Sequence, residues 1–222
     1  MLRVSIPVSV EKEERWRDET SPIEGYGVLL ASLWPIIKNM PDVLLAGLLQ
    51  ALSFGFFLAL WLGIGLHLTS PAMGYGVDVV GYLAVLAVSN VFFAPWSGRL
   101  ADRIGPEKAR MLFATTQLIG ALLLLISGNN IWIMILPILF SNFGGASMDV
   151  ANRTILFGRA PEIRTRLMTI YIVIMFIGGG FSSWLGTAVY TSSGWDGMAL
   201  LSILFASTIM ALSIYGMRFR KS

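Results

Sequence analysis

Residues 98–110 read GRLADRIGPEKAR and separate two long apolar segments, residues 79–96 and 111–127. The stretch holds six charged residues, four of them basic, together with two glycines and a proline. A bilayer core about 30 Å thick needs roughly 20 apolar residues per helix. A short charged stretch between two such segments is therefore typical of a loop joining two membrane-spanning helices.

The rest of the chain repeats this pattern. Four more apolar segments cover residues 43–68, 131–150, 167–190 and 198–217. Hydrophobic residues make up 55% of the chain, charged residues only 13%, and the mean hydropathy is +0.72, which excludes an ordinary soluble domain. Segments such as 111–127 lack the alternation of a transmembrane β-strand. We therefore predict an all-α membrane protein with six transmembrane helices.

The basic residues predict the orientation of the helices. All sixteen lie in four stretches: residues 3–38, 99–110, 153–166 and 218–221. The other three connections between segments contain none. Lysine and arginine concentrate in cytoplasmic loops, so we expect both termini on the cytoplasmic side of a plasma (inner) membrane. This placement also explains the net charge of +3 without nucleic acid as a partner.

The predicted organisation has three parts. Residues 1–42 are a cytoplasmic linker, residues 43–217 the transmembrane domain, and residues 218–222 a cytoplasmic tail. Leucines and isoleucines recur at helical spacing between residues 29 and 38. They indicate either a short helix lying in the membrane interface or an irregular loop.

Few polar residues lie in the centres of the predicted helices. The best candidates for lining a cavity are Gln50, Asn90, Gln117 and Asn142; the alternative is that they bond helix to helix. Asp149 ends the fourth predicted span on its cytoplasmic side, and an ionisable residue at such depth is a functional candidate. Arg153 lies one helical turn away and can form a charge pair with it.

His67 and a stripe of small residues complete the candidates. His67 is the only histidine and lies near the outer end of the first span. We expect a polar tip at the interface there rather than a proton carrier. Gly178, Ser182 and Gly186 form a small-xxx-small stripe, which predicts close helix packing.

The stretch 98–110 resembles the loop signature of the major facilitator superfamily, a Gly-x-Leu-Ala-Asp-Arg-x-Gly core followed by basic residues. The resemblance implies that the loop gates conformational change and that the Asp102 carboxylate acts as a latch. The residues implied in gating are Gly98, Asp102, Arg103, Gly105, Lys108 and Arg110. Pro106 and Glu107 replace the first basic residues of the pattern, which weakens the electrostatics of the latch. The alternative is an ordinary basic loop with one compensating acid.

The resemblance extends along the chain. Residues 148–154 and 160–166 are similar to the stretch linking the fourth and fifth helices of that superfamily's C-terminal half, and residues 178–186 to the helix that follows. The implied fold is a six-helix half bundle with a 3+3 inverted repeat, of the drug:proton antiporter-like subgroup. The implied activity is secondary active efflux of small molecules by alternating access, coupled to protons. A complementary six-helix half or self-association would complete the transporter.

Other function classes find less support in the sequence. A truncated, non-transporting membrane remnant or accessory protein is the main alternative, since no carboxylate lies at the centre of a predicted span. With no cysteine and one histidine, we expect no catalytic residues, no metal site, no cofactor and no enzyme activity.

Overall fold

In the computed structural model, the described residues are 40–128, 130–159 and 161–219. The interfacial helix predicted between residues 29 and 38 lies outside them. The described chain forms helices α1 to α6: Pro41–Leu68, Val77–Ala84, Ser89–Ile104, Pro106–Leu123, Ile131–Phe157 and Pro161–Phe219. Short 3-10 turns, Val85–Val88 and Leu124–Ile126, follow α2 and α4.

Five helical stretches are long and apolar enough to cross a membrane. They are Pro41–Leu68, Val77–Ile104, Pro106–Ile126, Ile131–Phe157 and Ile163–Arg218. This agrees with the predicted all-α membrane fold. The last stretch has 56 residues and contains both of the final predicted spans. As a straight helix it would be about 84 Å long, far more than a bilayer core of about 30 Å.

The long helix α6 is interrupted at Gly194. The backbone there has φ 60° and ψ −150°, which is not helical. Before the break, α1 and α6 run in the same direction, because the residue numbers of the contacting pairs increase together: Gly47 with Ile174, Ala51 with Gly178, Gly55 with Ser182 and Ala59 with Gly186. After the break the two helices run in opposite directions, since Gly63 contacts Met198 and Gly216 contacts Leu45. The chain therefore reverses direction at Gly194.

Close packing between α1 and α6 depends on the predicted stripe of small residues. A Cβ atom added to Gly178 would lie 2.5 Å from the Cβ of Ala51, and one added to Gly186 would lie 2.9 Å from the Cβ of Ala59. Neither position leaves room for a side chain. The prediction of close helix packing at this stripe is confirmed.

The apolar core consists of two clusters along α1. One is centred on Phe56, Leu60, Ile64 and Met198, and the other contains Leu49, Phe113, Met148 and Ile209. By contrast, the stretch Val77–Ile104 is mostly exposed, and its buried residues are Leu83, Ser97 and Ala101. Ser97 Oγ lies 2.6 Å from Ser147 Oγ on α5, which ties this stretch to the bundle.

The predicted boundaries were wrong where charged residues begin. Helix α3 continues through the stretch predicted as a loop and ends at Ile104, and Pro106 already begins α4. The turn is Gly105 alone, with φ 88°. Helix α5 likewise continues to Phe157 instead of ending at residue 150. Charged residues end an apolar run, but they do not end a helix whose residues have good helical propensity.

Candidate functional site

A cavity of about 300 Å³ lies among α1, α3, α5 and α6. It contains three of the four amides predicted from the sequence, and Gly145, Ala146 and Met175 complete its wall. The polar and aromatic residues that line it are Gln50, Ser53, Phe54, Phe57, Asn90, Asn142, Asp149 and Arg153. Amides, aromatic rings and one acid–base pair thus meet in one place. Such a combination suits the binding of a small molecule.

Gln117 does not line this cavity. It is fully buried, and its Nε2 donates to Ser53 Oγ at 2.9 Å. Ser53 Oγ also lies 3.2 Å from Gln117 Oε1. Gln117 therefore connects α4 to α1 behind the cavity wall, which is the helix-to-helix alternative considered for these amides.

Asp149 and Arg153 are brought together on α5. Arg153 Nε donates to Asp149 Oδ2 at 2.8 Å. The other carboxylate oxygen accepts a hydrogen bond from the Tyr171 hydroxyl at 2.6 Å, and the Arg153 guanidinium lies 5.7 Å from the centre of the Tyr171 ring. The Asp149 side chain is 28% exposed and faces the cavity.

Asp149 lies well inside its helix. Helix α5 continues for eight residues beyond it, to Phe157. At 1.5 Å per residue this puts Asp149 about 12 Å from the end of the helix. Its partner Tyr171 was not identified from the sequence. The available signal was a tyrosine in an apolar helix, whose hydroxyl needs a partner when buried.

A chain of buried amides leads away from the cavity. Asn152 Nδ2 donates to the cavity residue Gln50 at Oε1, 3.1 Å away. Arg110 Nε in turn donates to Asn152 Oδ1 at 2.7 Å. Arg110 was assigned to the gating loop, but its side chain is only 4% exposed. It also lines a second pocket of about 300 Å³, together with Asp42, Glu107, Arg159 and Tyr215.

The second pocket lies where α1 begins and α5 ends. Arg159, just beyond α5, forms an ion pair with Asp42 in the first turn of α1. Arg110 and Arg159 both lie at this end of the bundle, which we call the basic end. The chain of Arg110, Asn152 and Gln50 therefore connects the basic end to the cavity.

The remaining residues of the sequence motif are three charged residues, which point outward, and two glycines. Asp102, Arg103 and Lys108 are exposed. Gly98 is not tightly packed, because an added Cβ would meet only Val150 Cγ1, at 3.8 Å. Gly105 has a positive φ and makes the turn. Within residues 40–219, leaving aside the gaps at 129 and 160, the Asp102 side chain forms no hydrogen bond or ion pair.

His67 closes the opposite end of the bundle. It is 8% exposed, so the expectation of an interfacial tip was wrong. Nε2 lies 2.5 Å from the Gly128 carbonyl oxygen and Nδ1 lies 3.2 Å from the Tyr190 hydroxyl. Its ring stacks on Trp195 at 4.5 Å. Because the carbonyl can only accept, Nε2 is the donor and Nδ1 accepts from Tyr190 in the neutral ring.

The polar groups of the cavity can bind a small molecule through hydrogen bonds. They are three neutral amides, the Ser53 hydroxyl and the Asp149 carboxylate, which is bonded to Arg153 and Tyr171. Among the residues that the structure describes, no three His, Asp or Glu side chains are grouped so that they could hold a metal ion.

Comparison with known proteins supports a membrane transporter. The profile of the Major Facilitator Superfamily matches residues 43–221. A protein named "Uncharacterized transporter YgaY" from Escherichia coli O157:H7 is 27% identical over 189 residues, covering 82% of this chain and 46% of that protein. "Probable transporter SCO4007" from Streptomyces coelicolor is 26% identical over 176 residues, covering 78% and 40%. The chain thus spans about half the length of the curated relatives it matches.

Proposed function

The chain belongs to the Major Facilitator Superfamily, and from this premise we propose that it is one half of a secondary transporter that moves a small molecule by alternating access. The observation that carries the proposal is the cavity lined by Gln50, Asn90, Asn142 and the Asp149–Arg153 pair. In this superfamily two six-helix halves are related by an axis along the membrane normal, and substrate binds between them near the midplane. One such half supplies one wall of the site.

The proposed half bundle has six crossings, arranged as a 3+3 inverted repeat. The reversal of register at Gly194 supports counting the 56-residue stretch as two crossings. An even number of crossings also fits the grouping of basic residues at one end of the bundle. In this arrangement the protein is a multi-pass protein of the plasma (inner) membrane, and both its termini and its basic end are cytoplasmic.

The proposed transporter needs a complementary six-helix half, for which a second copy of this chain is one candidate. Two features support this requirement. The stretch Val77–Ile104 supplies Asn90 to the cavity, yet most of its surface is exposed. Asp102, the latch residue implied by the family motif, forms no bond within the described chain. A facing half would cover the exposed stretch Val77–Ile104 and supply a partner for Asp102.

The proposed direction is efflux of small amphipathic compounds in exchange for protons. The cavity wall offers Phe54, Phe57 and Met175 beside neutral amides, which suits molecules with an apolar body and few polar groups. Asp149 is the carboxylate at the cavity and is therefore our candidate for proton coupling. Residues 98–110 would control the rocking of one half against the other.

Site-specific cross-linking tests the proposal, because the chain contains no cysteine. A single cysteine replaces Val91, which is 70% exposed and follows the cavity residue Asn90. The control replaces Leu204, which is 61% exposed on the second part of α6. We expect the Val91→Cys chain, but not the Leu204→Cys chain, to capture a six-helix protein or a second copy in native membranes.

The captured pair is then reconstituted in liposomes to measure substrate transport. Recovery of the 24.3 kDa monomer alone from both variants would contradict the proposal. It would favour the alternative, a non-transporting remnant or accessory protein.

A further inference from the structure

The orientation of the Asn142 amide is determined by a neighbouring indole. Trp61 Nε1 lies 3.2 Å from Asn142 Oδ1, and an indole N–H can only donate. The oxygen of the amide therefore faces Trp61, and its NH2 group points the other way. Asn142 is 1% exposed and lines the cavity. Its Nδ2 is buried and has no hydrogen-bond partner among the described residues.

A second unbonded atom lies in the same cavity. Asn90 Oδ1 is also buried without a hydrogen-bond partner in the described part of the chain. An unsatisfied buried polar atom costs about 1–3 kcal/mol, so two in one cavity call for an explanation. Asn142 Nδ2 is a donor, and Asn90 Oδ1, with the amide oriented as in this structure, is an acceptor. A molecule offering both complementary groups would satisfy them together.

The charges at the cavity are already balanced. Asp149 is bonded to both Arg153 and Tyr171, at 2.8 Å and 2.6 Å. A cationic ligand that paired with Asp149 would bring a second positive charge beside Arg153, and an anionic ligand that paired with Arg153 would bring a second negative charge beside Asp149. Either arrangement places like charges close together, a cost that an uncharged ligand avoids.

The rest of the wall is apolar and aromatic. The rings of Phe54 and Phe57 lie nearly parallel, with an interplanar angle of 13° and a centroid separation of 6.2 Å. Met175 contributes a thioether to the same wall. This surface favours a flat ring or an apolar chain over a small, strongly hydrated molecule.

We infer that the cavity selects uncharged amphipathic molecules, with a hydrogen-bond acceptor for Asn142 Nδ2, a donor for Asn90 Oδ1 and an aromatic or apolar body. Simple N-aryl amides have this chemistry. The inference rests on the proposed function in one respect only: the occupant of the cavity is taken to be the transported molecule.

The test compares three probes that share a phenyl ring but differ in charge: acetanilide, benzyltrimethylammonium and benzoate. The full chain is placed in lipid nanodiscs, and binding is followed by saturation-transfer NMR, with empty nanodiscs as the background. We expect acetanilide to bind and the two ions to bind at least about tenfold more weakly, a difference of about 1.4 kcal/mol.

Variants of Asn142 test the assigned donor. Asn142→Leu removes the whole amide, while Asn142→Asp keeps an oxygen for Trp61 and removes the NH2 group. Both should weaken acetanilide binding about tenfold. The matched control is Thr115→Val, which alters a half-buried polar residue outside the cavity and should leave binding unchanged. Elution as a single species in gel filtration establishes that each variant is folded.

Two results would overturn the inference. One is binding of either ion as tight as that of acetanilide, or no binding of any probe. The other is unchanged acetanilide affinity in both Asn142 variants. Because the measurement needs neither a partner half nor transport, its outcome is separate from that of the cross-linking experiment.

Discussion

The Tyr171 hydroxyl on α6 donates a hydrogen bond of 2.6 Å to Asp149 on α5. Arg153 holds the second oxygen of the same carboxylate. Asp149 therefore links α5 to α6 through Tyr171 and holds Arg153 on its own helix. This link is the contact that the proposed proton coupling would change.

Asp149→Asn should uncouple transport from the proton gradient. The amide cannot take up or release a proton, so substrate exchange down its own gradient should continue while uphill accumulation is lost. The measurement is uptake into proteoliposomes containing the chain and its partner, with and without a pH gradient. Asp78→Asn, an exposed acid at the start of α2, is the control. Gradient-driven accumulation by Asp149→Asn at the wild-type level would exclude Asp149 as the coupling group.

Asn152→Leu should destabilise the protein more than Arg110→Met. Removing Asn152 leaves a buried guanidinium without its hydrogen bond, at a cost of about 1.5–3 kcal/mol. Removing Arg110 also removes the desolvated charge, which offsets the loss of the bond. Thermal unfolding in detergent measures the difference, with Lys108→Met as the control at an exposed basic position. Equal melting temperatures for Asn152→Leu and Arg110→Met would show that the Arg110–Asn152 bond contributes little.

Gly194→Ala should lower stability although an added Cβ meets no atom within 4 Å. At φ 60° and ψ −150° the backbone is in a region open essentially to glycine alone, and a side chain there costs about 1–3 kcal/mol. Gly180 is the matched control, because its Cβ position is equally open but its backbone is helical. Gly180→Ala should be neutral or slightly stabilising. Thermal unfolding compares the two, and equal effects would show that the turn does not need glycine.

The membrane class and the general positions of the helices could be predicted from the sequence, because the length of an apolar run follows from the thickness of the bilayer. The boundaries could not, since Arg99 and Asp102 end the apolar run without ending α3. In the same way, the gap between the last two apolar segments predicted a loop over residues 191–197. The helix in fact continues through these residues and is broken at Gly194.

The direction in which a polar side chain points was harder to predict. Asn90 and Asn142 face the cavity while Gln117 faces Ser53, because each helix is rotated by its packing against its neighbours. Arg110 lies in a charged stretch, and only the tertiary structure brings Asn152 beside it. The burial of His67 likewise depends on Trp195, far away in sequence.

Asp102→Asn should slow transport without impairing membrane insertion or stability. The side chain is exposed and unbonded in the described chain, so its replacement should change the free energy of unfolding by no more than about 0.5 kcal/mol. In the assembled transporter, however, the proposed latch needs a carboxylate to bind a cation or a helix N-terminus of the facing half, and an amide binds both more weakly.

The transport rate of the reconstituted pair is measured for Asp102→Asn and for Asp196→Asn. Asp196 is an exposed acid at the opposite end of the bundle, so its variant should transport at the normal rate. If Asp102→Asn also transports at the normal rate, Asp102 is not a latch, and residues 98–110 act only as a basic connection between two helices.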